Sequence, residues 1–510
     1  MNTTFSRFLL PVVVGLSLLM GAFRLSAAPS DAGGKYFDFS PAAQDAYQKT
    51  ISLRLAEART TLDGMKGSEP DNLMPIFIEN YIDFLTVFVH DDKAEFKRLA
   101  KNMEPRLAKI AKGDHASPYY LYIQAEIRLQ WAIMHVRYNE YLAGMSDIKQ
   151  SYALLEQNQR KFPDFIANKK SLGIMHAVVG NIPDEFKWAV KTLGGMSGTI
   201  PQGLSELEEV LAYAKKNHEF QFEEETTVAY SFLQLYLNNA PDIAWKTLKN
   251  SRLDARSSSM SAYALATVAM RTGQNEEAVR ILQAAPVGGA YYPFPYRDFM
   301  LGLAKLRRMD ADANKPLEAF LANYKGENSV KEACQKLAWH CLVHGNEAGY
   351  IAYMNEVKLK GAENSESDKS ALREARSGER TDKALVSARL LFDGGYYQRA
   401  NDLLKNTAGN YTGNLKLSVE YAYRMGRIAH KMGKMKEAVR FYNHTIEGGA
   451  KEPWYLACSA ALQLGILHEE SRDYLNARSD YKRCLDLKPE EYASGLHAQA
   501  KAGLGRVSGK

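Results

Sequence analysis

The sequence predicts an all-α fold, a superhelical solenoid of stacked antiparallel helical hairpins. Three observations predict it. Nowhere in the 510 residues is apolar–polar alternation sustained, and no Asn-Gly hairpin stands between β-branched runs. Helical periodicity with broad apolar faces is widespread, as in "NLMPIFIENYIDFLTVFVH" and "SPYYLYIQAEIRLQWAIMHVRYNEYL", with breaks at Gly, Pro, Asn or Asp clusters. The second half of the chain also repeats itself at a near-constant period. A hydrophobic content of 46% with 24% charge excludes a disordered chain, and the 17 prolines fall mostly between periodic segments.

The elements follow in order. Residues 1–27 have the layout of a secretory leader: Arg7, an uncharged run from Phe8 to Phe23, Arg24, then small residues at "LSAA" with cleavage after Ala27. The run is short of the roughly 20 apolar residues that span a bilayer. A retained N-terminal anchor is the alternative. The implied location is exported: periplasmic, cell-envelope associated or extracellular, with no stable membrane insertion after cleavage. Losing Arg7 and Arg24 lowers a net charge of only +6, so charge gives no support to nucleic acid as a partner. Residues 36–250 read as degenerate helical hairpins. Within them "LGGMSGTIPQG", 193–203, has the glycines of a phosphate loop. It lacks the lysine that must follow the last glycine, so it reads as a corner between helices with Pro201 in the first turn. Residues 251–362 hold weaker repeats. "ENSESDKSALREARSGERTDK", 363–383, is the most polar stretch and reads as a solvated helix and loop between repeat blocks, with a hinge as the alternative. Residues 381–508 hold the clearest repeats and a capping helix.

In those repeats a small residue is followed twelve positions on by a second, and four later by an aromatic or leucine. The sets are Gly426, Ala438, Tyr442 and Gly465, Ala477, Tyr481, with Ala388, Ala400, Leu404 and Ala266, Ala278, Leu282 as variants. Small residues sit where two helices of a hairpin approach closely, and the larger side chain fills the gap to the next hairpin. This pattern resembles the tetratricopeptide repeat (TPR). The steps from Ala400 to Ala438 to Ala477 exceed the family's usual repeat of about 34 residues. The wider chain, through "IENYIDFL", "YYPFPYRDFMLG" and "ARLLFDGGYYQRA", also resembles a group of secreted or periplasmic bacterial helical-repeat proteins. These resemblances imply a TPR-like solenoid and no particular reaction.

The candidate chemistry is sparse. No Gly-x-Ser-x-Gly or similar nucleophile motif occurs, which argues against an enzyme, and nothing calls for a cofactor. His340 and His344 share a helical face but lack a third ligand, and no Cys-x-x-Cys exists, so no metal site is expected. Glu208, Glu209 and the run Glu223 to Glu225 read as solvated faces. Cys334 and Cys341 read as buried thiols on one helix. Cys458 and Cys484 fall at facing ends of one hairpin, as a disulfide or as two packed thiols. "AYYPFPYRDF", 290–299, reads as a rigid packed entry to a helix, with presentation of its rings to a ligand as the alternative.

Carried over from the TPR resemblance, the groove positions of the first helix in each hairpin are Arg389 and Phe392. In the next repeat they are Glu420, Tyr423, Arg427 and His430, and in the last Ser459, Leu462, Ile466 and Glu469. The family's Lys and Asn set that clamps a terminal carboxylate is missing. The expectation is therefore a non-catalytic scaffold binding a protein or peptide partner, with a small-ligand or glycan-binding protein as the alternative.

Overall fold

The structure is a computed structural model and describes residues 34–182 and 195–509. Apart from two isolated bridges, Lys35 with Gly113 and Tyr36 with Asn72, the described regular structure is helical. The leader proposed for residues 1–27 lies outside the described residues, as do residues 183–194, which include the first two residues of the 193–203 stretch. No described helix is long and apolar enough to cross a membrane.

Two compact units divide the chain. The first comprises residues up to Thr272, with 276–301 and 318–328. The second comprises 273–275, 302–317 and 329–510. The first contains α1 (Pro41–Ile51), α2 (Leu55–Ser68), α3 (Met74–His90), α4 (Lys93–Leu99) and α5 (Met103–Ile110). It continues with α6 (Pro118–Arg137), α7 (Tyr141–Lys161), α8 (Ala167–Gly180), α9 (Ile200–Lys216), α10 (Glu223–Tyr236), α11 (Pro241–Lys249) and α12 (Ser259–Arg271). Most of α13 (Asn275–Ala284), the start of α14 (Pro295–Arg308) and the end of α15 (Asn314–Asn323) also belong to it.

Local sequence explains the breaks. Ser117 caps α6 by accepting from the Tyr119 N–H, with Pro118 at the first turn, where no amide hydrogen is needed. Asn139, at φ 65°, turns the chain into α7. The 193–203 segment is a corner where it is described: Thr199 caps α9 by accepting from Gln202, and Pro201 lies in the first turn. Its glycines serve close approach. A Cβ on Gly203 would strike the Gly173 carbonyl, so α8 and α9 pack backbone to backbone. The aromatic loop packs as expected. Tyr292 stacks on His90 with centroids 4.6 Å apart, and Phe294 and Tyr296 lie against Tyr263.

The second unit runs through α16 (Val330–Val343), α17 (Glu347–Leu359), α18 (Glu366–Ser377), α19 (Lys383–Asp393) and α20 (Tyr397–Lys405). It ends with α21 (Leu415–Lys431), α22 (Met435–Gly449), α23 (Leu456–Glu470), α24 (Tyr474–Asp486) and α25 (Ala493–Val507). Pairs α21/α22 and α23/α24 are hairpins, and α25 packs on α23 and α24. The small-residue rule holds at atomic detail. A Cβ on Gly426 would come within 2.7 Å of the Tyr442 ring, and one on Gly465 within 2.5 Å of Tyr481. Ala388, Ala400, Ala438 and Ala477 are fully buried. Gly503 of α25 also closes on the Tyr481 ring, so this side chain fills the gap between the last hairpin and the capping helix.

The polar stretch 363–383 departs from expectation. It forms α18, whose Ala371, Leu372 and Ala375 are buried, and Asp368 is fully buried too. The Asp368 carboxylate accepts from the Ser329 and Glu332 amides at 2.9 and 3.1 Å, capping α16 from a distance in sequence.

Candidate functional site: a cation-lined face on the C-terminal repeats

Three first helices of the second unit, α16, α19 and α21, place a cation beside an aromatic ring. The Arg389 guanidinium lies 5.0 Å from the Trp339 ring, and Arg427 lies 4.7 Å from Phe392 and 5.9 Å from Tyr423. Lys336 stands 3.9 Å over Trp339. Such stacking holds a cation by attraction to the ring face and leaves its hydrogen-bond donors free at the edge. Arg427 donates to the Tyr423 hydroxyl at 3.0 Å, and that hydroxyl shares a hydrogen with Ser459 at 2.7 Å. Among the described residues no carboxylate lies within ion-pair distance of Arg427, and Arg389 reaches only Asp393, at 4.0 Å. Arg424, in contrast, is neutralised by Glu420 at 2.6 Å.

Trp339 is fixed by donating its indole N–H to Glu374 at 2.9 Å, and Glu374 also accepts from Gln335 and Thr381. Burial pushes the Lys336 ammonium down to about 8, against the pull of Glu332 and with the help of the nearby Arg389. The aromatic lining continues through Tyr455, edge-on to Tyr423 and Tyr492.

The structure therefore brings Arg389, Phe392, Glu420, Tyr423 and Arg427 together on one face. Other predicted positions serve packing. His430 is buried between the Tyr442 hydroxyl and Glu470. Leu462 is buried in the core. Glu469 pairs with Arg506 through two 2.8 Å hydrogen bonds and accepts from Tyr481, tying α25 to the last hairpin. Sequence reasoning missed Lys336, Trp339, Arg424, Tyr455 and Tyr492. Lys336 and Trp339, three apart on the first helix of a degenerate hairpin, carried the same positional signal.

Cys458 and Cys484 are free thiols with sulfurs 3.5 Å apart, both buried. Cys334 and Cys341 are likewise buried thiols, and burial pushes the Cys334 thiol up to about 11. His340 and His344 have ring centroids 4.5 Å apart, and His340 engages the Ala311 carbonyl. Among the described residues no three potential ligands converge on a metal position.

A second cluster corrects the solvated reading of Glu223 to Glu225. Glu223 pairs with Arg252, but Glu225 is fully buried in the N-terminal unit. Its carboxyl accepts from Tyr47 and lies 3.4 Å from Lys170, which is 3.6 Å from a second buried carboxyl, Glu126. Ser171 donates to Glu126, and Lys170 also sits 4.5 Å from the Phe222 ring. Desolvation pushes the Glu225 carboxyl well up and Lys170 down to about 8. Successive helical residues point about 100° apart, so a run of three glutamates cannot share one face.

Comparison with known proteins bears on the repeats. The tetratricopeptide repeat family matches residues 419–447 and 459–491. The C-terminal region carries tetratricopeptide repeats. The matched repeats are those built on the Tyr442 and Tyr481 plugs. No curated protein matches the chain. Among solved structures, a monomeric mutant of IFIT1 with Gppp-AAAA matches at 15% identity and a TM-score of 0.31, covering 79% of each chain. That similarity is too low to assign a ligand here. It does correct the expectation that set nucleic acid aside, because the matched helical protein is one solved with Gppp-AAAA. A net charge of +6 is an average over the whole chain and says nothing about the charge of any one face.

Proposed function

We propose that this chain is an exported, non-catalytic interaction scaffold whose TPR hairpins take a segment of a partner protein along the face of Arg389, Phe392, Tyr423 and Arg427. One observation carries the reading: two guanidiniums are held on aromatic rings, Arg427 with no carboxylate within ion-pair distance among the described residues and Arg389 with Asp393 alone, at 4.0 Å. Arg and aromatic side chains dominate the affinity of protein interfaces when rigidly presented. Here the Tyr423–Ser459 hydrogen bond and the Trp339–Glu374 hydrogen bond fix the rings in advance, which lowers the ordering cost of binding. Export rests on the leader-like residues 1–27, and the kinship with secreted bacterial helical-repeat proteins belongs to the same proposal.

The experiment is site-specific photocrosslinking from position 392 in cells, followed by pull-down with wild type, Arg389→Ala and Arg427→Ala, with and without nuclease. A discrete protein partner, retained after nuclease and lost at least tenfold in Arg427→Ala, is expected. Recovery of nuclease-sensitive nucleic acid alone, or of a partner indifferent to both arginine variants, overturns the reading.

A further inference from the structure

A pocket of about 250 Å³ opens in the N-terminal unit between α11, α12, α13 and the loop from Leu253 to Arg256. Its floor is apolar, from Leu248, Leu265 and Ile281, all buried. Its rim carries Trp245, Lys249, Asp254, Arg256, Glu277 and Arg280. The two carboxylates are already occupied. Asp254 accepts from the Arg256 amide at 2.9 Å, and with Ser257 this loop holds it below the usual carboxylate range. Glu277 is taken by the Arg280 guanidinium, which holds its carboxyl down as well.

Three donors on the rim are not occupied. Among the described residues the Trp245 indole N–H, the Lys249 ammonium and the Arg256 guanidinium have no hydrogen-bond acceptor and no ion pair within 4 Å; Lys249 approaches the Trp245 ring at 6.0 Å, and Lys249 and Arg256 act on Glu277 and Asp254 only from beyond ion-pair distance. An apolar floor with a few converging polar groups is the usual make-up of a small-molecule site. Unpaired cations and an indole donor, with the acids spoken for, select for negative charge.

We propose that this pocket binds a small organic anion, its ring or hydrocarbon body on Leu248, Leu265 and Ile281 and its oxyanion between Lys249 and Arg256, with the Trp245 N–H as a third donor. The oxyanion can be a carboxylate or a phosphate ester, and the site stands independently of the TPR face.

Calorimetric titration of the full chain tests this with four probes: indole-3-acetate, phenyl phosphate, their neutral counterparts indole-3-ethanol and phenol, with inorganic phosphate as reference. At least one anionic probe is expected to bind with a Kd below about 1 mM, and at least tenfold tighter than its neutral counterpart and than inorganic phosphate. Whichever of the two anions binds tighter identifies the oxyanion class. Arg256→Ala and Lys249→Ala, both at exposed positions, should each weaken binding about five- to tenfold, and Arg427→Ala should leave it unchanged. Neutral probes binding as tightly as the anions overturn the proposal. So does inorganic phosphate matching the ester, affinity unmoved by both rim variants, or no binding by either anion.

Discussion

Two regions of the molecule solve the same packing problem in opposite ways. Between 383 and 507 no Asp, Glu, Lys or Arg is buried among the described residues; the core is alanine, leucine and tyrosine set against glycine. Around α6, α8 and α10 the helices instead enclose Glu126, Lys170 and Glu225, each at most 1% exposed. In the repeats shape alone locates each helix, so a spare methyl is intolerable. In the N-terminal unit partnered charge helps to locate them, so a missing partner is intolerable. Buried ion pairs of this kind are a weak source of stability as intact units but costly to break.

The largest expected effect tests the charged core. Lys170→Met leaves Glu126 and Glu225 without their cation and should destabilise the N-terminal unit by about 3–5 kcal/mol in denaturant unfolding. Adding Glu126→Gln and Glu225→Gln should recover most of that loss. A single variant costing under about 1 kcal/mol would mean the carboxyls are held neutral by desolvation alone, and the contrast would collapse.

Next comes the shape-determined core. Gly465→Ala forces a Cβ to 2.5 Å from the Tyr481 ring and should cost about 1–3 kcal/mol by overpacking. Gly64→Ala, on α2 with nothing within 4 Å, should instead stabilise by up to about 1 kcal/mol through helix propensity. Equal effects at the two sites would show that glycine in the repeats is not a packing requirement.

A smaller effect is pH-dependent. Burial, aided by Glu223, pushes the half-buried Glu224 carboxyl up to about 6. The folded state then holds a proton the unfolded state has released, so this stabilising contribution is complete below the ordinary value of 4.5 and is lost as pH rises through 6. Glu224→Gln should flatten stability between those values and raise it at pH 7 by about 1 kcal/mol, partial exposure to solvent keeping the effect small. Unchanged thermal midpoints across that window would count against a desolvated Glu224.

The smallest stability effect is at the TPR face. Arg427→Ala forfeits ring stacking and the hydrogen bond to the Tyr423 hydroxyl but no salt bridge, and that hydroxyl keeps Ser459, so stability should fall by only about 1 kcal/mol while partner capture falls at least tenfold. A large loss of stability would turn Arg427 from a presented group into a structural one.

The same contrast explains what was legible in the sequence. The repeats announce themselves because Gly426, Ala438 and Tyr442 must recur at fixed spacing for a glycine to admit a ring. From there Arg389, Phe392, Tyr423 and Arg427 follow by position. His430 and Glu469 follow by the same positions but are drawn into packing by Tyr442 and Arg506, partners that a per-helix register does not contain. Glu225 and Asp368 were illegible for a related reason. A carboxylate's burial depends on who waits for it, Lys170 and Tyr47 in one case and the open amides of α16 in the other, and each partner is distant in sequence.

The ring of Tyr481 is approached by both Gly465 and Gly503, which gives the last hairpin and helix α25 one shared contact. A stack of hairpins presents the same unfinished surface at every step and has no intrinsic reason to stop growing. Helix α25 supplies the stop: it lays Gly503 on the ring, latches Arg506 to Glu469, and turns exposed Lys501 and Gly505 outward. Without residues 493–510 the Tyr481 ring and the parts of α23 and α24 that α25 covers would be left as exposed apolar surface, on which a second copy of the chain could pack.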